Sequence, residues 1–336
     1  MSIRQNTATA LLCALLALAG CKSKAHSGHD GTEQTRPTAK ALGTFSADSA
    51  YRYIAEQVAF GPRVAGSDGH KACRDYIVSS LRSFDADTVI VQEASVTAYD
   101  GTRLPIANIF AGYNTGQSKR VLLVAHWDTR PWADREDNDS TRNIPILGAN
   151  DGASGVGVLL EIARNLALKK PSVGVDLLFV DAEDYGRSDG FDRHDDTWCL
   201  GSQYWAANMV PYSPENLPVY GILLDMVGGR NARFHYEDFS ARNASSPTIK
   251  VWSEAEAMGY GDRFIRKVGG ATIDDHIVLT RAGIPTTDII ELNNEQTYTF
   301  PPTWHTHDDN MDNIDRSSLK AVGETVLNVI YKEKPF

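Results

Sequence analysis

Residues 121–128 read VLLVAHWD and residues 148–168 read GANDGASGVGVLLEIARNLAL. The first stretch opens with five apolar residues in a row and no polar alternation, the pattern of a strand buried on both faces, and it ends on His126-Trp127-Asp128. In the second, Val156, Leu159, Leu160, Ala163 and Leu166 fall at helical spacing. That helix follows a loop of small residues whose glycines let the backbone approach closely whatever it covers. A buried strand with ionisable residues at its carboxyl end, followed by a helix, is the repeating unit of a parallel sheet.

The pattern recurs along the chain. Residues 173–180, 219–224 and 284–292 are short β-branched or Leu-rich runs bounded by polar residues, each expected to be a buried strand. Amphipathic helices are expected over 47–60, 69–84 and 317–331, and the runs 88–96 and 104–111 as a hairpin-like edge. Strands alternating with helices predict an α/β fold with a twisted, largely parallel central sheet and helices on both faces.

Ionisable residues gather at one rim of that sheet. His126 and Asp128 follow the first strand, Asp181, Glu183 and Asp184 the second, and Asp225 the third; in open α/β sheets, ligands bind at the carboxyl ends of the strands. A single strand-end carboxylate ordinarily caps the next helix. Three chain segments converging their acids point to a metal site instead. The loop before the helix adds Asp151, and two later segments, Thr272-Ile273-Asp274-Asp275-His276 and Trp304-His305-Thr306-His307-Asp308-Asp309-Asn310, bring further candidates. A histidine with two carboxylates is an ordinary zinc set, and a catalytic zinc keeps one position open for substrate.

The ends and the composition bound the rest. Residues 1–20 carry one Arg and no acid, and their apolar core is the length of a signal-peptide core, too short to span a bilayer. The core ends Leu18-Ala19-Gly20-Cys21, which resembles a bacterial lipobox, so Cys21 is expected to carry the lipid once the signal is removed. Residues 21–41 are expected to be a flexible tether and residues 42–336 a single α/β domain. The protein is thus expected to be exported and anchored by lipid alone to a bacterial membrane, its domain periplasmic or extracellular. An apolar content of 42% supports a sizeable core, and a net charge of -10 without a basic run argues against a nucleic-acid partner. Cys73 and Cys199 remain after export, and sequence leaves open whether they pair or stay as two buried thiols.

The order His-x-Asp, Asn-Asp-Gly-Ala-Ser-Gly before a helix, paired acids, Leu-Leu-Asp, Asp-Asp-His and Trp-His-Thr resembles the glutaminyl cyclases and, more remotely, the di-zinc aminopeptidases of the same fold. Gly61-Pro62-Arg63-Val64-Ala65-Gly66-Ser67 is similar to that superfamily as well. The resemblance implies a zinc aminopeptidase-like fold and one Zn2+ per chain held by Asp151, Asp184 and His305. It implies Glu183 as general acid/base within a carboxylate network of Asp225 and Asp274, and Trp304 lining the glutamine pocket. His126 stands where aminopeptidases bind a second zinc and is expected at the substrate. The implied reaction turns the N-terminal glutamine of a peptide or protein into pyroglutamate and releases ammonia.

Two departures stand out. Animal cyclases carry Glu where this chain has Asp184, and residues 185–197 form a longer polar insertion lacking the aromatic residue that walls the animal pocket. Trp132, Trp198 and Tyr185 are candidates to replace it. The rival enzyme is an aminopeptidase holding two zinc ions through His126, Asp151, Asp184, Asp225 and His305, with Glu183 activating water. A third class, an inactive ectodomain that only binds a partner, is at odds with the intact ligands and Glu183.

Overall fold

The computed structural model describes residues 44–188 and 194–336. Cys21, with the expected signal peptide and the whole of the tether, lies outside the described residues, as does the centre of the 185–197 insertion.

Two helices come first. α1 (Ala47–Ala59) is capped by the Ser46 hydroxyl, which accepts from Ser49 N, and α2 (Asp68–Ser83) by the Ser67 hydroxyl, which accepts from His70 N. Each cap satisfies one of the amides that a helix start leaves free. The hairpin β1 (Thr88–Thr97) and β2 (Arg103–Tyr113) follows, then β3 (Arg120–His126), α3 (Ala153–Leu168), β4 (Gly174–Val180), α4 (Leu200–Ala207) and β5 (Tyr220–Asp225). The remainder is β6 (Phe234–Glu237), α5 (Asp238–Asn243), α6 (Ser245–Ala257), β7 (Phe264–Gly270), α7 (Asp275–Arg281), β8 (Thr286–Ile290) and α8 (Arg316–Lys332).

The main sheet has the order β1-β2-β4-β3-β5-β8. β4, β3, β5 and β8 are mutually parallel, and the hairpin joins antiparallel through β2 on β4. All four expected buried strands, the hairpin edge and the expected helices are present. The unbroken apolar runs are explained by two-sided burial. Val121, Leu123, Leu177, Phe179, Ile222 and Leu224 pack into one core with residues of α1, α3 and α8, whereas Leu122, Val124, Leu178, Val180 and Leu223 pack with Trp205 of α4 and Leu279 of α7. Successive side chains of each strand therefore enter different cores.

The small-residue loop acts where α3 meets the sheet. A β-carbon on Gly155 would lie 2.1 Å from Leu224 O and 2.9 Å from the Ala125 β-carbon. The first turn of α3 can therefore sit directly on the carboxyl ends of β3 and β5, which brings Asp151 to the rim. Cys73 and Cys199 are free and buried, so the described fold holds two thiols and not a disulfide between them. Among the described residues no helix is long and apolar enough to cross a membrane.

Candidate active site and metal centre

Three of the segments that carry candidate groups turn sharply as they do so. Ala182 (φ 48°), Met226 (φ 46°) and His305 (φ 57°) all occupy the left-handed region, one just before Glu183, one just after Asp225 and one at the histidine itself. Non-glycine residues go there at a cost and are held by their surroundings.

Two buried carboxylates do much of the holding. The Asp128 side chain accepts from Glu183 N (3.1 Å) and Asp184 N (3.2 Å), so the third residue of the His-Trp-Asp segment fixes the loop after the neighbouring strand. Asp309 accepts from Asn150 N (2.6 Å) and Asp151 N (3.0 Å), fixing the loop before α3 in the same way. Arg63, fully buried, donates to the carbonyls of Trp127, Leu147 and Gly148 at 2.6–3.0 Å. The Gly-Pro-Arg segment thereby ties the end of β3 to the Asp151 loop. Neither that guanidinium nor those carbonyls could be buried without such partners.

On this frame the expected groups meet. His305 Nε2 lies 3.2 Å from Asp184 Oδ1 and 3.7 Å from Asp151 Oδ2. His126 Nε2 lies 3.1 Å from both Asp151 Oδ1 and Asp225 Oδ1. Asp151 thus stands between two imidazoles. Glu183, although adjacent to Asp184, belongs to a different cluster: it accepts from the Cys199 thiol at 3.4 Å, with Asp274 beside it. Asp274 accepts from Asp275 N, and Asp225 pairs with His126.

Burial, together with the Asp184, Asp274 and Asp275 carboxylates, pushes the Glu183 carboxyl well above its usual range against the opposing pull of His126. Burial also pushes Asp184 up to about 6, with Asp151 adding to the rise. Asp151 moves the other way, because His126 and His305 outweigh its burial.

A cavity of about 150 Å³ opens onto Asp151, Glu183, Asp184, Asp225, Asp274 and His305, and its walls are aromatic: Trp198, Phe300 and Trp304. Trp304 stacks on the His305 ring, centroids 3.8 Å apart. His126 does not line this cavity; it lies 1% exposed beneath Asp151 and Asp225. The expectation that it touches substrate is therefore corrected: the last residue of β3 points under the rim. Of the candidate aromatics Trp198 lines the cavity, while Trp132 and Tyr185 pack edge to face against each other outside it.

Sequence reasoning did not select Phe300, Asp309 or Asp134. Phe300 lies four positions before Trp304, a spacing that could have marked it. Asp134 is 2.9 Å from His305 Nδ1, the nitrogen facing away from Asp184 and Asp151. A carboxylate at that distance holds the ring by charge and leaves Nε2 free to bind metal.

The donor set fits zinc. Asp151, Asp184 and His305 are buried, each offers a ligand atom within 4.8 Å of the others, and Asp184 Oδ2 has no hydrogen-bond partner among the described residues. Two carboxylates and one imidazole converging on a buried point are a zinc donor set and are costly to leave without a cation. His126, Asp151 and Asp225 form a second such triplet that shares Asp151.

The sequence model of peptidase family M28 matches residues 108–330. A solved glutaminyl cyclase of Bacteroides thetaiotaomicron, bound to N-acetylhistamine, is 50% identical, covers 87% of this chain and 99% of its own, and superposes with a TM-score of 0.83. A solved Zn-dependent exopeptidase of Parabacteroides distasonis is 51% identical, covers 87% of this chain and 100% of its own, and has a TM-score of 0.83. Among curated proteins, the glutaminyl-peptide cyclotransferase of Bos taurus is 25% identical over 308 residues, 81% of this chain and 78% of that protein.

Proposed function

The chain belongs to peptidase family M28, and from that premise we propose that it is a zinc-dependent glutaminyl-peptide cyclotransferase, converting N-terminal glutaminyl residues of peptides and proteins to pyroglutamate with release of ammonia. The observation that carries the reading is the cavity: Trp198, Phe300 and Trp304 wall in a space of about 150 Å³ directly over Glu183 and the Asp151-Asp184-His305 triplet. A space of that size suits one folded side chain. The relatives named glutaminyl cyclase support the same choice.

Cyclisation joins the substrate α-amine nitrogen to Cδ, the side-chain amide carbon, and breaks the Cδ–Nε bond. A proton must leave the attacking amine, and one must reach the departing nitrogen. In this proposal one zinc is held by Asp151, Asp184 and His305. When bound it supplies Lewis acidity toward the γ-carbonyl and balances charge developing on that oxygen.

Glu183 takes the amine proton and hands it to the leaving ammonia. Its setting suits both transfers, because burial and the Asp184 and Asp274 carboxylates strengthen its hold on a proton. Asp274 acts on it by charge, and Asp225 bears on it through His126, with which it is hydrogen-bonded. Trp304, Phe300 and Trp198 exclude water and force the flexible glutamine side chain to fold back, so that amine and carbonyl meet.

Ammonia release from a glutaminyl peptide, measured beside amino-acid release from a leucyl peptide, tests the reading. The first reaction is expected to dominate, with one zinc per chain. Leucine release together with two tightly held zinc ions would establish the aminopeptidase instead, the second ion lying among His126, Asp151 and Asp225.

Lipidation of Cys21 is part of the same proposal. Replacing Cys21 with Ser should move the protein from the membrane to the soluble fraction, since residues 21–41 have no apolar stretch to hold it. Undiminished membrane association of Cys21→Ser would refute the anchor.

A further inference from the structure

Arg130, two residues past Asp128, is buried without any exposed surface. A guanidinium carries five N–H donors in one plane, and here all five find acceptors. Nη1 donates to Asp184 O (2.8 Å) and Gly186 O (3.0 Å). Nε and Nη2 grip the two carboxylate oxygens of Asp134 at 3.1 and 2.8 Å, and Nη2 also donates to Ser188 Oγ at 3.1 Å. Two indole rings lie against the guanidinium, with the Trp132 and Trp198 ring centroids 4.9 and 4.8 Å from Cζ.

What these partners do matters more than their number. Asp184 is a proposed zinc ligand, and its own carbonyl is held. Asp134 stands 2.9 Å from Nδ1 of His305, a second proposed ligand, and Arg135 N donates to His305 O at 3.2 Å. Trp198 walls the cavity.

We propose that Arg130 is a positioning residue for the metal centre: one planar fork sets the Asp184 loop, orients His305 through Asp134, and clamps the Trp198 wall, so that two ligands and one wall keep a single mutual geometry. This rests on the zinc assignment made above. Lysine cannot replace it. A single ammonium holds three donors at one point and offers no plane for two indoles to cover.

The test uses the purified chain with Arg130→Lys and Asp134→Asn. The readouts are zinc dissociation constant by chelator competition, melting temperature of the metal-stripped protein, and kcat and KM at saturating zinc. Arg130→Lys should stay folded and bind zinc about 10–100-fold more weakly, the range for lost outer partners of metal ligands, with much of kcat returning when zinc is added in excess. Asp134→Asn should weaken zinc in the same direction, and the double variant should cost less than the product of the two, because both act through one fork.

A lowered melting temperature with parental zinc affinity in Arg130→Lys would make the residue merely structural and overturn the proposal. If Arg130→Lys fails to fold, parental affinity in Asp134→Asn overturns it equally. Failure of the zinc assignment itself looks different: Asp184→Asn would then leave zinc affinity unchanged in the otherwise unaltered chain.

Discussion

A Glu183→Gln protein should keep its zinc and lose turnover by about 10²–10⁴, the loss typical of a missing general acid/base. The amide matches the carboxyl in size and can still accept from the Cys199 thiol that lies 3.4 Å from Glu183 Oε1, so the cavity should keep its shape. What disappears is the site that accepts and returns a proton. Stability should change little, because the group removed is one whose charged form burial already disfavours. KM for a glutaminyl peptide should hold near the parental value while kcat falls. Near-parental cyclisation by Glu183→Gln would overturn the mechanism, and loss of zinc would mean that Glu183 and Asp184 had exchanged roles.

The second large effect is expected at the ligands themselves. His305→Ala should abolish both zinc retention and ammonia release. It removes the only imidazole of the Asp151-Asp184-His305 triplet and leaves two buried carboxylates facing each other. Asp184→Asn exchanges an anionic ligand for a neutral one and should also lower zinc content, by more than the 10–100-fold expected at outer partners such as Asp134. His126→Ala is the contrasting control. With one zinc per chain it should leave metal content unchanged, whereas a drop from two ions to one would support the aminopeptidase. Metal analysis of the three variants beside the parent decides among these outcomes.

Much of this arrangement could be read from sequence because its carriers are local. Residues 121–125 and 219–224 carry no charge, and 173–180 and 284–292 are mostly apolar, since they are buried on both faces, and the acids that follow the first three stand at the rim. Other parts leave no such mark. β7 carries Arg266 and Lys267 in its middle and has no apolar run, so it escaped notice along with its short partner β6.

Asp309 acts through the amides of a loop some 158 residues away, and a carboxylate that accepts from backbone has no spacing rule to betray it. Arg130 reads as one more charge in a polar stretch until its five partners are seen. The resemblance put His126 at the substrate; only the β3 register and the neighbouring Asp151 and Asp225 show that it lies one layer deeper.

The first described residues join the fold at a particular place. Thr44 N donates to Asn165 Oδ1 and Ser46 N to Glu161 Oε1, both on the last turns of α3. That helix begins at the catalytic rim and runs antiparallel to the strands, and Asn165 is 12 residues beyond its start at Ala153, about 18 Å at 1.5 Å per residue. Anything attached ahead of Thr44 therefore joins the fold most of a helix length away from the rim. Coupling ahead of Thr44, to a bead or to a lipid surface, would leave the opening free to arriving peptides, whereas coupling through the rim would bury it.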